Sequence, residues 1–255
     1  TYDALAHVMY NNLYFEPSDI AQLLIDRSVS VSDICNILIN SLQCPIQVLS
    51  SIYEHLSITN EQLAQLMYND FQSEVQVIME VLSDTQVPLE EIVSILINSL
   101  NAELNDIVSE ILQQGYSSKE IISLLFSVSN PTYQECAASL KFAGIASAEI
   151  ALILANSYFL QDQQILTIFD SSGSTINELA HILQLIYGYD DKDITKRLLI
   201  QNKNIQNICS VLEQELGYPA DKLNNIETAY TNYVTLNHTP AQVVSMLQSN
   251  GASNN

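Results

Sequence analysis

The chain has 255 residues, of which 47% are hydrophobic and 15% charged, so it can bury a substantial apolar interior. Its 8 basic and 29 acidic residues give a formal charge of −21, which opposes binding to nucleic-acid phosphates or anionic membranes and favours a basic protein partner. The sequence contains no run of 18 apolar residues, so we predict no membrane insertion. Nucleic acid is an unlikely partner on charge alone.

Taken in chain order, the predicted elements are short amphipathic helices. One aliphatic position, followed by apolar residues three and four places later, recurs every 14 or 15 residues, which is the stripe that a helix presents to a core. The interval fits a helix of about 9 to 11 residues and a turn of about four. The fifteen anchor positions are Ile20, Ile34, Val48, Leu63, Val77, Ile92, Ile107, Ile121, Cys136, Ile150, Ile165, Leu179, Ile194, Ile208 and Leu223.

Polar residues suited to capping a helix stand four places before many of these anchors. Each can accept a hydrogen bond from the free amides of a first helical turn. These predicted N-caps are Ser30, Thr59, Ser73, Ser117, Thr132, Thr175, Asp190 and Asn204. The turn residues therefore agree with the apolar pattern.

Alternate helices resemble each other, so the repeating unit is a pair of helices of about 29 residues. Residues 37–42 read ILINSL, and so do residues 95–100, two units later. A single hairpin of this size cannot bury its apolar face alone, and stacking of neighbours solves that problem. We predict an all-α, right-handed α-solenoid of about 15 to 16 short helices. Residues 1–248 would form one domain of about eight hairpins, and residues 249–255 a polar tail that frays.

The end of the chain departs from the repeat. The next anchor after Leu223 is Val243, 20 residues later. We interpret residues 232–238 as a longer connection between the last helices. Because the sequence begins at Thr1, without an initiator methionine or a signal peptide, we expect a processed product or a fragment.

An asparagine recurs six places after the anchor in one helix class, at Asn40, Asn69, Asn98 and Asn156, with Ser127 at the same place in another repeat. Two interpretations are open. Each Asn could close its helix in the left-handed conformation that Gly and Asn accept most readily. Alternatively, the four side-chain amides could form a ladder that binds a repetitive ligand, which makes these four residues the predicted binding site.

Two segments resemble a known repeat family. Residues from 58 onward read ITNEQLAQLMYND, and residues from 237 onward read NHTPAQVVSMLQSNG. Both are similar to the first helix of the repeats in transcription-activator-like effectors, where a Thr-Pro start leads to a variable pair that reads a DNA base. The resemblance would place that pair at Asn40-Ser41 and at the corresponding positions of later repeats. Because a charge of −21 opposes contact with phosphates, DNA binding is not carried over to this chain.

No pattern of residues indicates an enzyme, a metal site or a cofactor. The four histidines, His7, His55, His181 and His238, are scattered, and none has a second ligand at helical spacing. The four cysteines, Cys35, Cys44, Cys136 and Cys209, show no metal-binding spacing. We interpret them as buried free thiols, with a disulfide between neighbouring helices as the alternative.

The function predicted from these features is that of a non-catalytic binding scaffold, because stacked hairpins create an extended groove. Its partner would be a basic protein or a second copy of the chain. The alternative is a structural or secreted surface protein whose repeats serve in assembly. The free cysteines slightly favour the cytoplasm over secretion. Salt-sensitive capture of a basic partner would favour the scaffold, and end-to-end association of the purified chain would favour the assembly protein.

Overall fold

The computed structural model describes residues 1–234 together with Thr239 and Gln242. Residues 1–234 form sixteen α-helices, and this part of the chain contains no strand. The predicted all-α class is therefore confirmed. The first nine helices are α1 (Tyr2–His7), α2 (Pro17–Asp26), α3 (Val31–Asn36), α4 (Val48–Leu56), α5 (Asn60–Asn69), α6 (Val75–Asp84), α7 (Leu89–Ser94), α8 (Leu104–Gln113) and α9 (Ser118–Val128). The remaining seven are α10 (Tyr133–Phe142), α11 (Ser147–Tyr158), α12 (Asp162–Ser171), α13 (Ile176–Tyr187), α14 (Asp191–Ile200), α15 (Ile205–Gln214) and α16 (Ala220–Val234).

Three of these helices continue as a π-helical turn, in which the amide of one residue bonds to the carbonyl five places before it. The turns are Val8–Asn12 after α1, Ile37–Ser41 after α3 and Ile95–Ser99 after α7. The second and third share the sequence ILINS. Identical sequence at equivalent places in two repeats thus gives the same backbone.

The chain divides into two compact units, Thr1–Pro131 and Thr132–Asn255. In the first unit the even-numbered helices pack in sequence, α2 against α4, α4 against α6 and α6 against α8. Odd-numbered helices pack on their neighbours in the same way, as α7 does on α9. In the second unit α10 packs on α12, α11 on α13, and α13 on α15. Within each unit, a described helix therefore makes its main contacts with helices one or two places away in the chain.

Left-handed residues recur along the backbone with a constant period. After the odd-numbered helices, residues with positive φ stand at Tyr14, Gln43, Gln72, Asn101, Asn130, Phe159, Gly188 and Gly217. After the even-numbered helices they stand at Ser28, Ser57, Gln86, Gly115, Gly144, Gly173 and Asn202. Within each series the spacing is 29 residues throughout. The backbone therefore repeats its conformation with the period that was predicted from the apolar residues.

Thirteen of the fifteen predicted anchors are buried, and two are wrong. Val48 and Val77 are only half-buried, and the buried residues are their neighbours Leu49 and Ile78. Each of the two helices offers a pair of adjacent aliphatic residues, and either one fits the local apolar spacing. Only the constant period selects between them, since Leu49 follows Ile20 by 29 residues and Ile78 follows Leu49 by another 29.

Seven of the eight predicted N-caps are confirmed, because Ser30, Thr59, Ser117, Thr132, Thr175, Asp190 and Asn204 each accept a bond from an amide of the first turn. The eighth, Ser73, is wrong. The N-cap of α6 is Glu74, one residue later. The two errors are linked, because Ser73 stands four places before the predicted anchor Val77, whereas Glu74 stands four places before the buried residue Ile78.

The connection predicted over residues 232–238 is corrected at its start, because α16 extends to Val234. Residues 220–234 contain neither Gly nor Pro to stop the helix. The predicted anchor Val243, the residue His238 and the predicted tail over residues 249–255 lie outside the described residues. None of the helices described is long and apolar enough to cross a membrane. The single domain predicted over residues 1–248 stays a prediction.

Candidate functional site

The four predicted binding residues, Asn40, Asn69, Asn98 and Asn156, are all exposed at the same place in their odd-numbered helices. Asn40 and Asn98 lie in π-helical turns, Asn69 is the last residue of α5, and Asn156 lies within α11. None of them has a positive φ. The left-handed residue comes three places later in every case, for example at Gln72 after Asn69. The interpretation that each Asn closes its helix in the left-handed conformation is therefore wrong.

The backbone angles predict opposite effects of glycine at Gln72 and at Asn69. Gln72→Gly should raise the melting temperature, because Gln72 is exposed and holds φ at 52°, a conformation that costs a non-glycine residue about 1–2 kcal/mol. Asn69→Gly should lower it slightly, because glycine is a weaker former of right-handed helix than asparagine by a few tenths of a kcal/mol. Thermal melts of the two single variants measure both effects.

The outcome that would contradict this assignment is a higher melting temperature for Asn69→Gly than for Gln72→Gly. A control comes from Gly188→Ala in the second unit. Gly188 has φ of 67°, and a Cβ added there would meet nothing within 4 Å. Gly188→Ala should therefore lower the free energy of unfolding by about 1 kcal/mol. Because the added methyl group touches nothing, this loss measures only the cost of the left-handed backbone.

The binding interpretation of the Asn row stays a prediction, and the structure adds two facts about these side chains. The Asn98 Nδ2 atom donates to Ser94 Oγ at 3.2 Å and to the Val128 carbonyl at 3.3 Å, so it contacts the end of the next odd-numbered helix, α9. The row also extends to Asn11, which is exposed 29 residues before Asn40. The sequence pattern contained Asn11, but the predicted row began one repeat later.

The four cysteines are buried free thiols. Burial raises the pKa of Cys35 and of Cys136 to about 12 and that of Cys209 to about 11. A thiol with so high a pKa stays protonated near neutral pH, and the thiolate is the nucleophilic form. These side chains therefore act as small apolar groups of the core.

Charge is distributed unevenly between the two units. The first unit holds 17 of the 29 acidic residues and only two of the eight Lys and Arg residues, Arg27 and Lys119. Residues 28–118 contain no Lys or Arg at all. Positive side chains that could neutralise carboxylates are therefore concentrated in the second unit.

The second unit uses its cations to join neighbouring repeats. Arg197 Nε lies 2.5 Å from Asp162 Oδ2, and the same carboxylate oxygen accepts a bond from the Tyr189 hydroxyl at 2.8 Å. Lys203 pairs with Asp170, and Lys141 Nζ lies 3.6 Å from Glu178 Oε1. The described residues form these three ion pairs and no others. Each pair joins residues that are 33 to 37 positions apart in the chain.

Carboxylates of the first unit receive neutral donors from residues 33 to 38 positions away in the chain. Ser32 Oγ donates to Asp70 at 3.2 Å, and Gln47 Nε2 donates to Glu80 at 3.3 Å. A hydroxyl or amide satisfies a carboxylate oxygen without neutralising its charge. The first unit therefore keeps a strongly negative field, which attracts cations.

A groove of about 470 Å³ lies within this negative unit, between the start of α6, the outer face of α8 and the end of α5. Its volume is in the range of ligand sites. The lining includes four carboxylates, an aromatic ring and a hydroxyl, contributed by Glu74, Glu103, Asp106, Glu110, Tyr68 and Ser73. The Ser73 oxygen is buried without a hydrogen-bond partner, and buried polar atoms normally have one.

The position of Glu110 explains why a groove opens at α8. The residues at the same repeat position in four other even-numbered helices are small or apolar and are buried, namely Ile52, Val81, Ser139 and Ile168. Glu110 is only half-buried there. A charged side chain avoids full burial, so α8 presents a carboxylate where these four helices close the surface.

The groove suits a ligand that carries several positive charges along its length. No three His, Cys, Asp or Glu side chains in the described part of the chain are close enough to hold a metal ion, so the carboxylates are spread out. Tyr68 has 37% of its surface exposed, and its ring can take a cation on its face. The groove residues were missed by the sequence prediction, although the absence of Lys and Arg from residues 28–118 was visible there.

Comparisons with protein families, with curated proteins and with solved structures gave no match to this chain.

Proposed function

We propose that the chain is an α-solenoid of 29-residue hairpins that acts as a non-catalytic binding scaffold, and that its acidic groove takes an extended, basic segment of a protein partner. The observation that carries the proposal is the groove beside α8, with four carboxylates in a unit that has only two Lys or Arg residues.

The solenoid part of the proposal rests on the repeat and on the contacts. Left-handed residues follow the helices every 29 residues, and within each unit the described helices pack mainly on near neighbours in the chain. Repeat proteins that stack in this way present long surfaces suited to binding. A closed bundle would instead need substantial contacts between helices distant in sequence.

The choice of a basic segment rests on charge and on shape. Lys and Arg side chains are long enough to place their cations against carboxylates that are distributed along a groove. Tyr68 offers a cation–π contact at the end of α5. The unpartnered Ser73 hydroxyl can donate to a carbonyl of the bound backbone. The groove lining repeats carboxylates and has no Lys or Arg. It therefore favours a segment in which basic residues recur.

The test is titration of the full chain with a fluorescent peptide of alternating Lys and Ala at low ionic strength. The triple variant Glu103→Gln, Asp106→Asn, Glu110→Gln should bind about tenfold more weakly, since an exposed charge pair contributes about 0.5 kcal/mol and about 1.4 kcal/mol is a factor of ten. Raising the salt concentration should weaken binding to the unmodified chain, because exposed charges are screened.

The matched control removes the same three charges from the second unit, in the variant Glu213→Gln, Glu215→Gln, Asp221→Asn. All three are exposed and lie outside the groove, so this variant should bind within about twofold of the unmodified chain. Equal weakening by both triple variants would show that net charge alone attracts the peptide and would contradict the groove. Preference for a DNA duplex over the peptide would favour the effector-like interpretation instead.

A further inference from the structure

An arginine of this chain stands at the repeat position of Glu110, the residue that opens the acidic groove. Arg197 of α14 follows Glu110 of α8 by 87 residues, which is three repeats of 29. The two side chains therefore start from the same place in their repeats, although their charges are opposite. The contacts of Arg197 thus show which groups hold a guanidinium at this position.

The groups that hold Arg197 occupy positions that line the acidic groove three repeats earlier. Asp162 follows the lining residue Val75 by 87 residues. Tyr189 follows the lining residue Ala102 by the same interval. The Nε atom of Arg197 lies 2.5 Å from Asp162 Oδ2. The guanidinium carbon lies 5.2 Å from the centre of the Tyr189 ring, and Nη2 donates to the hydroxyl of that tyrosine at 3.2 Å. A carboxylate and a tyrosine ring thus bind the guanidinium together.

The acidic groove offers the same two kinds of group from other residues. Glu103, Asp106 and Glu110 supply carboxylates at the start and on the outer face of α8, and Tyr68 supplies a ring from the end of α5. The lining contains no Lys or Arg. None of these carboxylates takes part in an ion pair with a residue that the structure describes. A guanidinium that pairs with them therefore has to come from a ligand.

The shape of the guanidinium distinguishes it from the ammonium of lysine in such a groove. Because the guanidinium is planar, its face can lie on an aromatic ring while its edge donates to a carboxylate. Arg197 makes both contacts at once, with Tyr189 and with Asp162. The ammonium is a compact and strongly hydrated charge, so it has to give up more water to make the same two contacts.

We propose that the acidic groove selects arginine over lysine in the segment that it binds. This inference rests on the proposed function, because it names the side chain that the groove recognises. An arginine of the partner lies with the face of its guanidinium on the Tyr68 ring and donates to carboxylates of α8. The partner thereby supplies to α8 the group that Arg197 supplies in α14.

Two fluorescent peptides of equal length and charge test the selection, one alternating Arg with Ala and the other alternating Lys with Ala. Each is titrated with the full chain at low ionic strength. The Arg peptide should bind about fivefold more tightly than the Lys peptide. Tyr68→Leu should weaken the Arg peptide by about fivefold and the Lys peptide by less than about twofold, because it removes the ring and keeps every carboxylate.

The matched control is Tyr116→Leu. Tyr116 is 39% exposed, compared with 37% for Tyr68, and it does not line the groove. This variant should therefore bind both peptides like the unmodified chain and keep the preference for arginine. Loss of the preference in Tyr116→Leu, or its survival in Tyr68→Leu, would overturn the proposal.

The failure of this inference can be told apart from failure of the proposed function. Equal affinity for the two peptides, with both weakened by the triple variant Glu103→Gln, Asp106→Asn, Glu110→Gln, would overturn the selection of arginine and leave the acidic groove as the binding site. If that triple variant weakens neither peptide, the proposed function itself is contradicted, and the inference with it.

Discussion

Replacing Phe169 with alanine should lower the free energy of unfolding by about 3–5 kcal/mol. Phe169 is fully buried in α12 and is among the largest such side chains in the described chain. Its removal forfeits the transfer of the ring from water and leaves a cavity that rigid neighbouring helices close only in part. Chemical denaturation followed by circular dichroism measures the loss.

The repeat provides a matched control for this substitution. Leucine or isoleucine is fully buried at the same position of four other even-numbered helices, at Leu82, Ile111, Leu140 and Leu198. Phe169→Leu should therefore cost less than about 1.5 kcal/mol. Phe142→Ala removes an identical ring that is 69% exposed and should change stability by less than about 0.5 kcal/mol. Equal losses for Phe169→Ala and Phe142→Ala would contradict the assignment of Phe169 to the core.

The period and most of the helix starts could be predicted from the sequence, because both depend on local and redundant signals. An apolar stripe involves several residues of each helix, and a cap such as Thr59 needs only the amides of its own first turn. Where the local signal was ambiguous, the prediction failed. Val77 and Ile78 fit the stripe equally well, and the choice of Val77 also misplaced the cap at Ser73.

The Asn row shows a different kind of limit. The recurrence of Asn40, Asn69, Asn98 and Asn156 was visible, but where each helix ends depends on the backbone beyond it. The left-handed position that follows the odd-numbered helices is occupied by residues as different as Gln72, Phe159 and Gly188. A pattern based on residue type could not identify that position, since packing of the repeats imposes a conformation that the residue itself does not favour.

The acidic groove could be anticipated only in its charge. The absence of Lys and Arg from residues 28–118 is a property of the sequence, and it indicates a negative surface. The concavity depends on how α5, α6 and α8 pack and on Glu110 at a position that is closed in four other repeats. That information lies in the arrangement of three helices, which no local motif carries.

Deletion of one complete repeat, residues 59–87, tests most directly the claim that the chain is a stack of 29-residue hairpins. The deletion joins residue 58 to residue 88 and keeps every later helix in phase, because Ile58 and Val87 occupy the same repeat position. Contacts in such a stack are made between neighbours, so the shortened chain should fold. We expect an unchanged helical signal per residue in circular dichroism and a cooperative thermal transition.

The control deletes half a hairpin, residues 59–73, which removes α5 and its turn and places two even-numbered helices in succession. The helix α6 and the π-helical turn after α7 would then lose the α5 surface on which they pack, and we expect a lower helical signal per residue and a broad transition. The account predicts a folded protein after the 29-residue deletion and a disrupted one after the 15-residue deletion. Loss of the helical signal after both deletions, or its survival after both, would contradict it.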